Sequence, residues 1–303
     1  MQNKWSEMRV LVTGGCGFVG SHLCDALVKR GADVTVYDNL STAVRLPDGC
    51  SIVQGDCRDA MLLSNVVEHS DFVFHLAAHA DVRRNMEHPK EVWENNVDAT
   101  MNLLECMRRE KITKLAFASS AIVYGPGRPL TKHEWCPLST NSIYGASKIA
   151  GEHLIQAYEL ETGMQAWRFR FAGMLGPRYT HGHVSDFVRS LQRDPTKLTV
   201  LGDGYQSKAY IDVRDCVSAM LEIVDTDSPG AYNVASTETL VIRDSVKQIC
   251  DVLGVSPQVT YGDTAGGWPT DPPNITVSTR HPISARPLHQ ALRDTVLDLL
   301  GRT

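Results

Sequence analysis

Residues 8–23 read Met8-Arg9-Val10-Leu11-Val12-Thr13-Gly14-Gly15-Cys16-Gly17-Phe18-Val19-Gly20-Ser21-His22-Leu23. Val10, Leu11 and Val12 in succession predict a buried strand, and the glycines that follow predict a tight turn. Ser21–Arg30 then carries Leu23, Ala26 and Leu27 on one helical face, with Gly31 just past its end as a C-cap. Gly14-x-x-Gly17-x-x-Gly20 therefore lies between a strand and a helix. Glycines at such a place let backbone approach a pyrophosphate, and the helix start offers unpaired N–H groups and the positive end of its dipole. A plain strand–helix turn also uses glycines, so the wider context matters. Asp38 stands 18 residues beyond Gly20, at the end of a second predicted strand, Val34–Tyr37. A carboxylate there accepts the hydroxyls of an adenosine ribose and repels a 2′-phosphate, which favours NAD over NADP.

The alternation continues. Ile52–Gln54, Phe72–Leu76 and Leu115–Ala118 are strand candidates, and Pro89–Arg109 keeps helical periodicity through Val92, Trp93, Val97, Met101 and Leu104. Strands alternating with helices predict an α/β fold, a parallel sheet covered on both faces. Beyond Phe171 the pattern changes, with Gly and Pro gathered at Gly173, Gly176, Pro177, Gly182 and Pro195. Helices are expected over Val184–Arg193, Asp215–Val224 and Leu288–Leu300, and strands over Leu198–Leu201 and Ser207–Val213. Residues 262–287 are expected to be irregular.

The 303 residues allow about two domains. With 43% hydrophobic and 21% charged residues the chain is not of the disordered class. The net charge of -5 leaves no basic excess for a nucleic-acid backbone, so no nucleic-acid partner is expected. There is no apolar run of about 18 residues, so no membrane span is expected. Eight scattered cysteines follow no zinc pattern and fit a reducing compartment. The polar N-terminal residues lack the apolar core of a signal peptide. These features predict a cytoplasmic protein with no metal site. The His75/His79 and His181/His183 pairs read as packing or substrate contacts.

Two further segments carry chemistry. Tyr144-Gly145-Ala146-Ser147-Lys148 lies in a helical pattern, so Tyr144 and Lys148 share a face. A nearby ammonium favours a phenolate, which suits Tyr144 to act as a base. Ser119 and Ser120, in Ala118-Ser119-Ser120-Ala121-Ile122-Val123-Tyr124-Gly125, close a predicted strand, where ligand crevices of open parallel sheets lie. With the glycine turn these segments resemble the extended short-chain dehydrogenase/reductase family, in particular its nucleotide-sugar epimerases and dehydratases. Further matching segments are Gly55-Asp56-Cys57-Arg58-Asp59, His75-Leu76-Ala77-Ala78, Asn96–Thr100, Arg170–Arg178 and Gly202-Asp203-Gly204-Tyr205-Gln206, in order over about 200 residues.

The resemblance implies a Rossmann-type doubly wound sheet with a smaller, discontinuous α/β substrate lobe. Its boundaries would be 1–172 and 206–235 for the NAD-binding domain, and 173–205 and 236–303 for the nucleotide-sugar lobe. It implies that Gly14, Gly17 and Gly20 bind the pyrophosphate of NAD and Asp38 the adenosine ribose, with Phe18, Val19 and Asn39 also cofactor-binding. Asp56 and Cys57 would flank the adenine, Ala77 and Ala78 would line the dinucleotide path, and Asn96 would support the active-site helix. Lys148 would hold the nicotinamide ribose, Tyr144 would be the catalytic base, and Ser120 its partner at the substrate hydroxyl. The implied substrate is a nucleotide-diphosphate sugar, a UDP-sugar, and the implied assembly is a homodimer.

An unactivated sugar C4–H is not acidic, so inversion at C4 needs oxidation to a 4-ketose first. Dehydratases of the family carry Asp-Glu after the Ser/Thr, and decarboxylases a Glu before Val-Tyr-Gly. Here Ala121 and Ile122 stand at those positions and cannot move protons. The expected activity is therefore 4-epimerisation of a UDP-hexose or a C6-modified UDP-hexose such as a hexuronate, with a dehydratase or decarboxylase, or a 4-ketosugar reductase, as the alternatives. A carboxylate from elsewhere, Asp81 or Glu134, is a candidate substitute.

Three positions depart from the usual epimerase pattern. Asp81 replaces a small polar residue and reads as a sugar contact. Gly173 replaces an Asn, which removes a donor and is expected to open space. Lys208 replaces the diphosphate Arg, and no Arg stands near Gly266-Gly267-Trp268. Arg178, Arg280 and Arg286 are candidates to compensate.

Overall fold

A computed structural model of the chain describes residues 3–80, 87–126, 131–263 and 274–302. Asp81 and residues 266–268 lie outside these.

In chain order the elements are β1 (Arg9–Thr13), α1 (Phe18–Lys29), β2 (Asp33–Asp38), β3 (Ser51–Gln54), α2 (Ala60–Val67), β4 (Phe72–His75), α3 (Pro89–Trp93), a π-helical turn (Glu94–Asp98), α4 (Ala99–Glu110), β5 (Lys114–Ser120), a 3₁₀ turn (Ala121–Tyr124) and β6 (Thr131–Lys132). Then come α5 (Ile143–Thr162), β7 (Gln165–Phe171), β8 (Gly173–Leu175), α6 (His183–Arg193), β9 (Lys197–Val200), β10 (Ser207–Asp212), α7 (Val213–Thr226) and β11 (Gly230–Val234). The chain closes with β12 (Thr239–Val241), α8 (Ile242–Leu253), β13 (Gln258–Tyr261), β14 (Asn274–Val277) and α9 (Leu288–Leu299).

Seven strands form the central sheet in the order β11-β7-β5-β4-β1-β2-β3. β1 pairs parallel with both β2 and β4, with Val10 level with Val34 and Phe72. The order runs outward from β1 through β2 and β3, then returns to β1's other side with β4. That reversal puts a crevice at the C-terminal ends of β1 and β4, where ligands of open α/β sheets bind. Leu11, Val73, Leu115 and Phe117 from the sheet pack with Leu63, Leu103, Leu104 and Ile155 from the helices into one buried cluster. Each such side chain contributes roughly 1.5–3 kcal/mol by its removal from water.

The contacts divide the chain into two compact units. The first comprises Met1–Val123, Pro137–Arg170 and Val217–Tyr232; the second comprises Tyr124–Cys136, Phe171–Cys216 and Asn233–Thr303. Residues 124–136, 171–172, 206–216 and 233–235 thus fall in the second unit, where the sequence boundaries place them in the first. The reason is strand pairing: β10 pairs with β8, β12 and β14, and β14 pairs with β6. Residues 274–277, within the stretch expected to be irregular, are therefore a strand.

Candidate active site

β1 ends at Thr13, and the chain turns through Gly14 at φ +72°, the left-handed region that glycine enters without strain. A Cβ on Gly14 would stand 2.7 Å from the Ala77 nitrogen. A Cβ on Gly20 would stand 2.1 Å from the Gly14 carbonyl oxygen. The turn thus meets the chain beyond β4 and the start of α1 with no room for side chains. Gly17 caps α1 without any side-chain bond to its first turn. Unpaired N–H groups at a helix start, on backbone free of side chains, are what a pyrophosphate needs. Phe18 and Val19 open the same helix.

Asp38 ends β2 beside this turn. One carboxylate oxygen accepts from the Cys16 N–H at 2.9 Å and the other from the Leu40 N–H at 2.8 Å. Both oxygens keep a second lone pair for a ribose hydroxyl. Asn39 donates toward Asp56 at 3.4 Å, and Asp56 pairs with Arg58 at 2.7 Å. The Arg58 guanidinium holds the Asp56 carboxyl down at about 2. Cys57 is buried, and burial pushes its thiol up to about 12, so it acts as an apolar wall and not a nucleophile. Ala77 takes its N–H to Thr13 Oγ1 at 3.4 Å, and Ala78 follows it, half-buried.

α5 begins at Ser142, whose hydroxyl accepts from the Gly145 N–H at 3.0 Å, and ends at Gly163, at φ +72°. This helix places Tyr144 one turn before Lys148. The Lys148 ammonium lies 5.7 Å from the centre of the Tyr144 ring and 5.0 Å from that of Phe117. Burial pushes Tyr144 up to about 12, while a hydrogen bond with Ser120 opposes the rise. Burial pushes Lys148 down to about 8, and the Glu152 charge opposes that fall. Burial thus works against both charged forms, and an ammonium beside a phenolate offsets that for each. Ser120, at the end of β5, and Tyr144 and Lys148, in the first turns of α5, lie together.

Asn96 sits in the π-helical turn. Its side chain accepts from His79 N at 2.7 Å and donates to His79 O at 3.2 Å and Ser147 Oγ at 2.9 Å. It thereby ties the chain beyond β4 to α5.

Ser119, expected at the substrate, is buried and donates to Glu152. Glu152 also holds Arg170 through two nitrogens, at 2.9 and 2.6 Å. The sequence reading overlooks this buried ion pair, although Glu152 stands four residues after Lys148 on the same helical face.

In the second unit, Gly173 opens no space: a Cβ there would stand 2.4 Å from Tyr210 Cε1, so the Tyr210 ring occupies the place of a side chain. Lys208 sits in the middle strand of the second sheet, level with Leu240 of β12 and Ile275 of β14. Arg178 adopts φ +67°, its N–H bound to Asp298 at 2.7 Å. Arg280 is exposed and gives its N–H to Glu134 at 2.9 Å. The same Glu134 oxygen accepts from Asn233 N at 3.0 Å, so this carboxylate holds backbone. Arg286 is paired with Asp215 at 2.8 Å and Asp212 at 3.7 Å, a structural commitment.

The model of the NAD dependent epimerase/dehydratase family matches residues 10–235, and the chain belongs to this family. It is 28% identical to a UDP-glucose 4-epimerase of Lactobacillus helveticus, over 95% of each chain. It is 33% identical to a UDP-N-acetyl-alpha-D-glucosaminuronate decarboxylase of Bacillus cytotoxicus, over 84% of this chain and 83% of that one. The crystal structure of the Thermus thermophilus UDP-glucose 4-epimerase complexed with NAD superposes with a TM-score of 0.88, at 30% identity, over 98% of this chain and all of that one. The cofactor of this enzyme is NAD, and the glycine turn fits its pyrophosphate. No helix among the described residues is long and apolar enough to cross a membrane.

Proposed function

We propose that this enzyme is a nucleotide-sugar 4-epimerase acting on a UDP-hexose or a C6-modified UDP-hexose, through a transient 4-ketose. The observation that carries this is the Ser120–Tyr144–Lys148 cluster followed by a 3₁₀ turn that begins Ala121-Ile122. Ser120 hydrogen-bonds the C4 hydroxyl and Tyr144. With its own proton given up, the Tyr144 phenolate, favoured by the Lys148 ammonium, takes the C4-hydroxyl proton and becomes the phenol. Bound NAD supplies hydride acceptance and, in the reverse direction, hydride donation. When the 4-ketose has turned over, Tyr144 returns the proton. Ala121 and Ile122 have no proton to give or take, so neither water nor CO₂ is expelled.

The decarboxylase among the relatives makes a C6 carboxylate the informative variant of the substrate. The purified enzyme is incubated with UDP-, dTDP-, GDP- and CDP-sugars, including hexuronates, and the products are read by NMR. A C4 epimer with no net change in NAD is expected; loss of water or CO₂ overturns the proposal in favour of a lyase. Tyr144→Phe should lower turnover by about 10²–10⁴-fold while NAD, assayed after denaturation, stays at wild-type occupancy. Near-wild-type turnover in that variant refutes the assigned base.

A further inference from the structure

α5 carries a buried carboxylate that the chemistry above does not use. Glu152 lies one turn beyond Lys148 and two turns beyond Tyr144. Its Oε1 accepts from Ser119 Oγ and from Arg170 Nε at 2.9 Å, and its Oε2 accepts from Arg170 Nη2 at 2.6 Å. Ser119, Lys148, Glu152 and Arg170 are all buried, and all belong to the first unit. Ser119 stands on β5 and Arg170 on β7, neighbouring strands of the central sheet, so one side chain of α5 grips two strands. The helix lies close on β5 just before Glu152. A Cβ on Gly151 would stand 2.8 Å from Phe117 Cζ, and the Lys148 ammonium lies 5.0 Å from the centre of the same ring.

Net stability does not account for this carboxylate. Taking an ion pair out of water costs about as much as the pairing returns, so an apolar pair of similar volume would hold α5 to the sheet as well. What an apolar pair lacks is direction. The planar guanidinium fixes the plane of the carboxylate, and the carboxylate in turn fixes the Ser119 hydroxyl. Ser119 is followed at once by Ser120. We propose that Glu152 is a positioning residue: by clamping the end of β5 to α5 it sets Ser120 against Tyr144 and holds the turn of α5 that bears Lys148. This rests on the proposed roles of Ser120, Tyr144 and Lys148.

The charge of Glu152 also acts on Lys148. Around that ammonium stand Tyr144 and Glu152 of its own helix, the Phe117 ring of β5, and His75 of β4. The His75 ring lies 5.8 Å from that of Phe117 and is kept uncharged by burial. Glu152 holds Lys148 up against the fall that burial causes. Without that negative charge, Lys148 gives up its proton at lower pH. A second ion pair joins the same helix and strand without reaching β5. Glu159, two turns further along α5, is half-buried and accepts from Arg168 of β7.

The test compares the NAD-loaded wild type with Ser119→Ala, Glu152→Asp, Glu152→Gln and Glu159→Gln, using the UDP-sugar that the wild type turns over fastest. Ser119→Ala and Glu152→Asp should lower kcat by roughly 10–10²-fold, with KM and NAD content close to wild type. Glu152→Gln should also begin its alkaline loss of kcat at lower pH, whereas Glu152→Asp, which keeps the charge, retains the wild-type alkaline limb. Glu159→Gln should keep the wild-type kcat. Wild-type kcat in Ser119→Ala and Glu152→Asp overturns the proposal, as does an equal loss in Glu159→Gln, which would mark a general loosening of α5. Should Glu152→Gln fail to fold with Arg170 unpaired, Ser119→Ala, which leaves the ion pair whole, and Glu152→Asp decide alone. Failure of the underlying reading looks different. Near-wild-type turnover by Tyr144→Phe removes the base itself, whereas an inactive Tyr144→Phe beside fully active Ser119 and Glu152 variants refutes only the clamp.

Discussion

His75 ends β4 with 1% of its surface exposed, held between two hydroxyls: Thr13 Oγ1 lies 2.7 Å from Nδ1 and Thr100 Oγ1 lies 3.0 Å from Nε2. Thr100 spends its own proton on the Asn96 carbonyl at 2.6 Å, so it accepts from Nε2–H. Nδ1 is then the acceptor, and the ring is neutral. Burial pushes its pKa down to about 3 from an ordinary 6.5. Because the folded value is the lower one, the unfolded chain binds a proton between pH 6.5 and 3 that the native protein does not. Stability is accordingly full above pH 6.5 and falls as the medium is acidified through this window, by about 1.4 kcal/mol per pH unit for one such histidine. His75→Gln has no proton to gain. Urea unfolding at successive pH values should show a shallower acid loss in this variant than in the wild type, and equal slopes would show that His75 is charged in the native state. In the sequence this residue reads only as half of a His75/His79 pair. A strand pattern does not express that Thr13, 62 residues earlier, and Thr100, 25 residues later, satisfy its ring.

The glycines of the turn do different work at the level of the element. A Cβ on Gly20 would collide with the Gly14 carbonyl oxygen at 2.1 Å, whereas a Cβ on Gly17 would stand 3.3 Å from that same oxygen. Gly20→Ala should therefore part α1 from the turn and lower the melting temperature of the apo-protein as well as its NAD retention. Gly17→Ala should leave the apo melting temperature closer to wild type and act mainly on bound NAD, if the helix start that Gly17 caps is the pyrophosphate site. Scanning calorimetry of apo-protein, with NAD assayed after denaturation, separates the two; equal melting losses would show that Gly17 is also needed for packing. This turn was legible because every constraint on it is local: strand, glycines and helix lie within about 20 residues. β10 was not so legible. Its hydrophobic pattern predicts a strand, yet its partners β8, β12 and β14 are far away in the chain. Nothing within Ser207–Asp212 says which sheet it joins. β14 hides in a Gly-, Pro- and Thr-rich stretch, and Tyr210 against Gly173 is likewise a cross-strand contact that sequence spacing does not express.

At the scale of the whole molecule, α3, α4 and α5 of the first unit bury residues in its core and leave other apolar residues exposed. Trp93 is 43% exposed, Met101 38% and Leu160 82%, although neighbouring positions such as Val92, Leu103 and Ile155 are buried. Tyr158 on α5 bonds Glu105 on α4 and lies 3.5 Å from Met101 Sδ, which joins the two helices into one surface. Apolar residues grouped on adjoining helices favour association, and a two-fold axis lets one such surface cover its own copy. We therefore expect a homodimer that pairs these helices with their counterparts. Sedimentation equilibrium should give twice the chain mass. Trp93→Glu combined with Met101→Glu places charges where the two copies would meet, and should yield the monomer with its circular dichroism intact. The glycine turn, Asp38, Tyr144 and Lys148 all belong to a single chain's first unit, so the monomeric variant should still carry NAD. A double variant that remains dimeric would move the interface to another face of the molecule, and a wild type that sediments as a monomer would remove it.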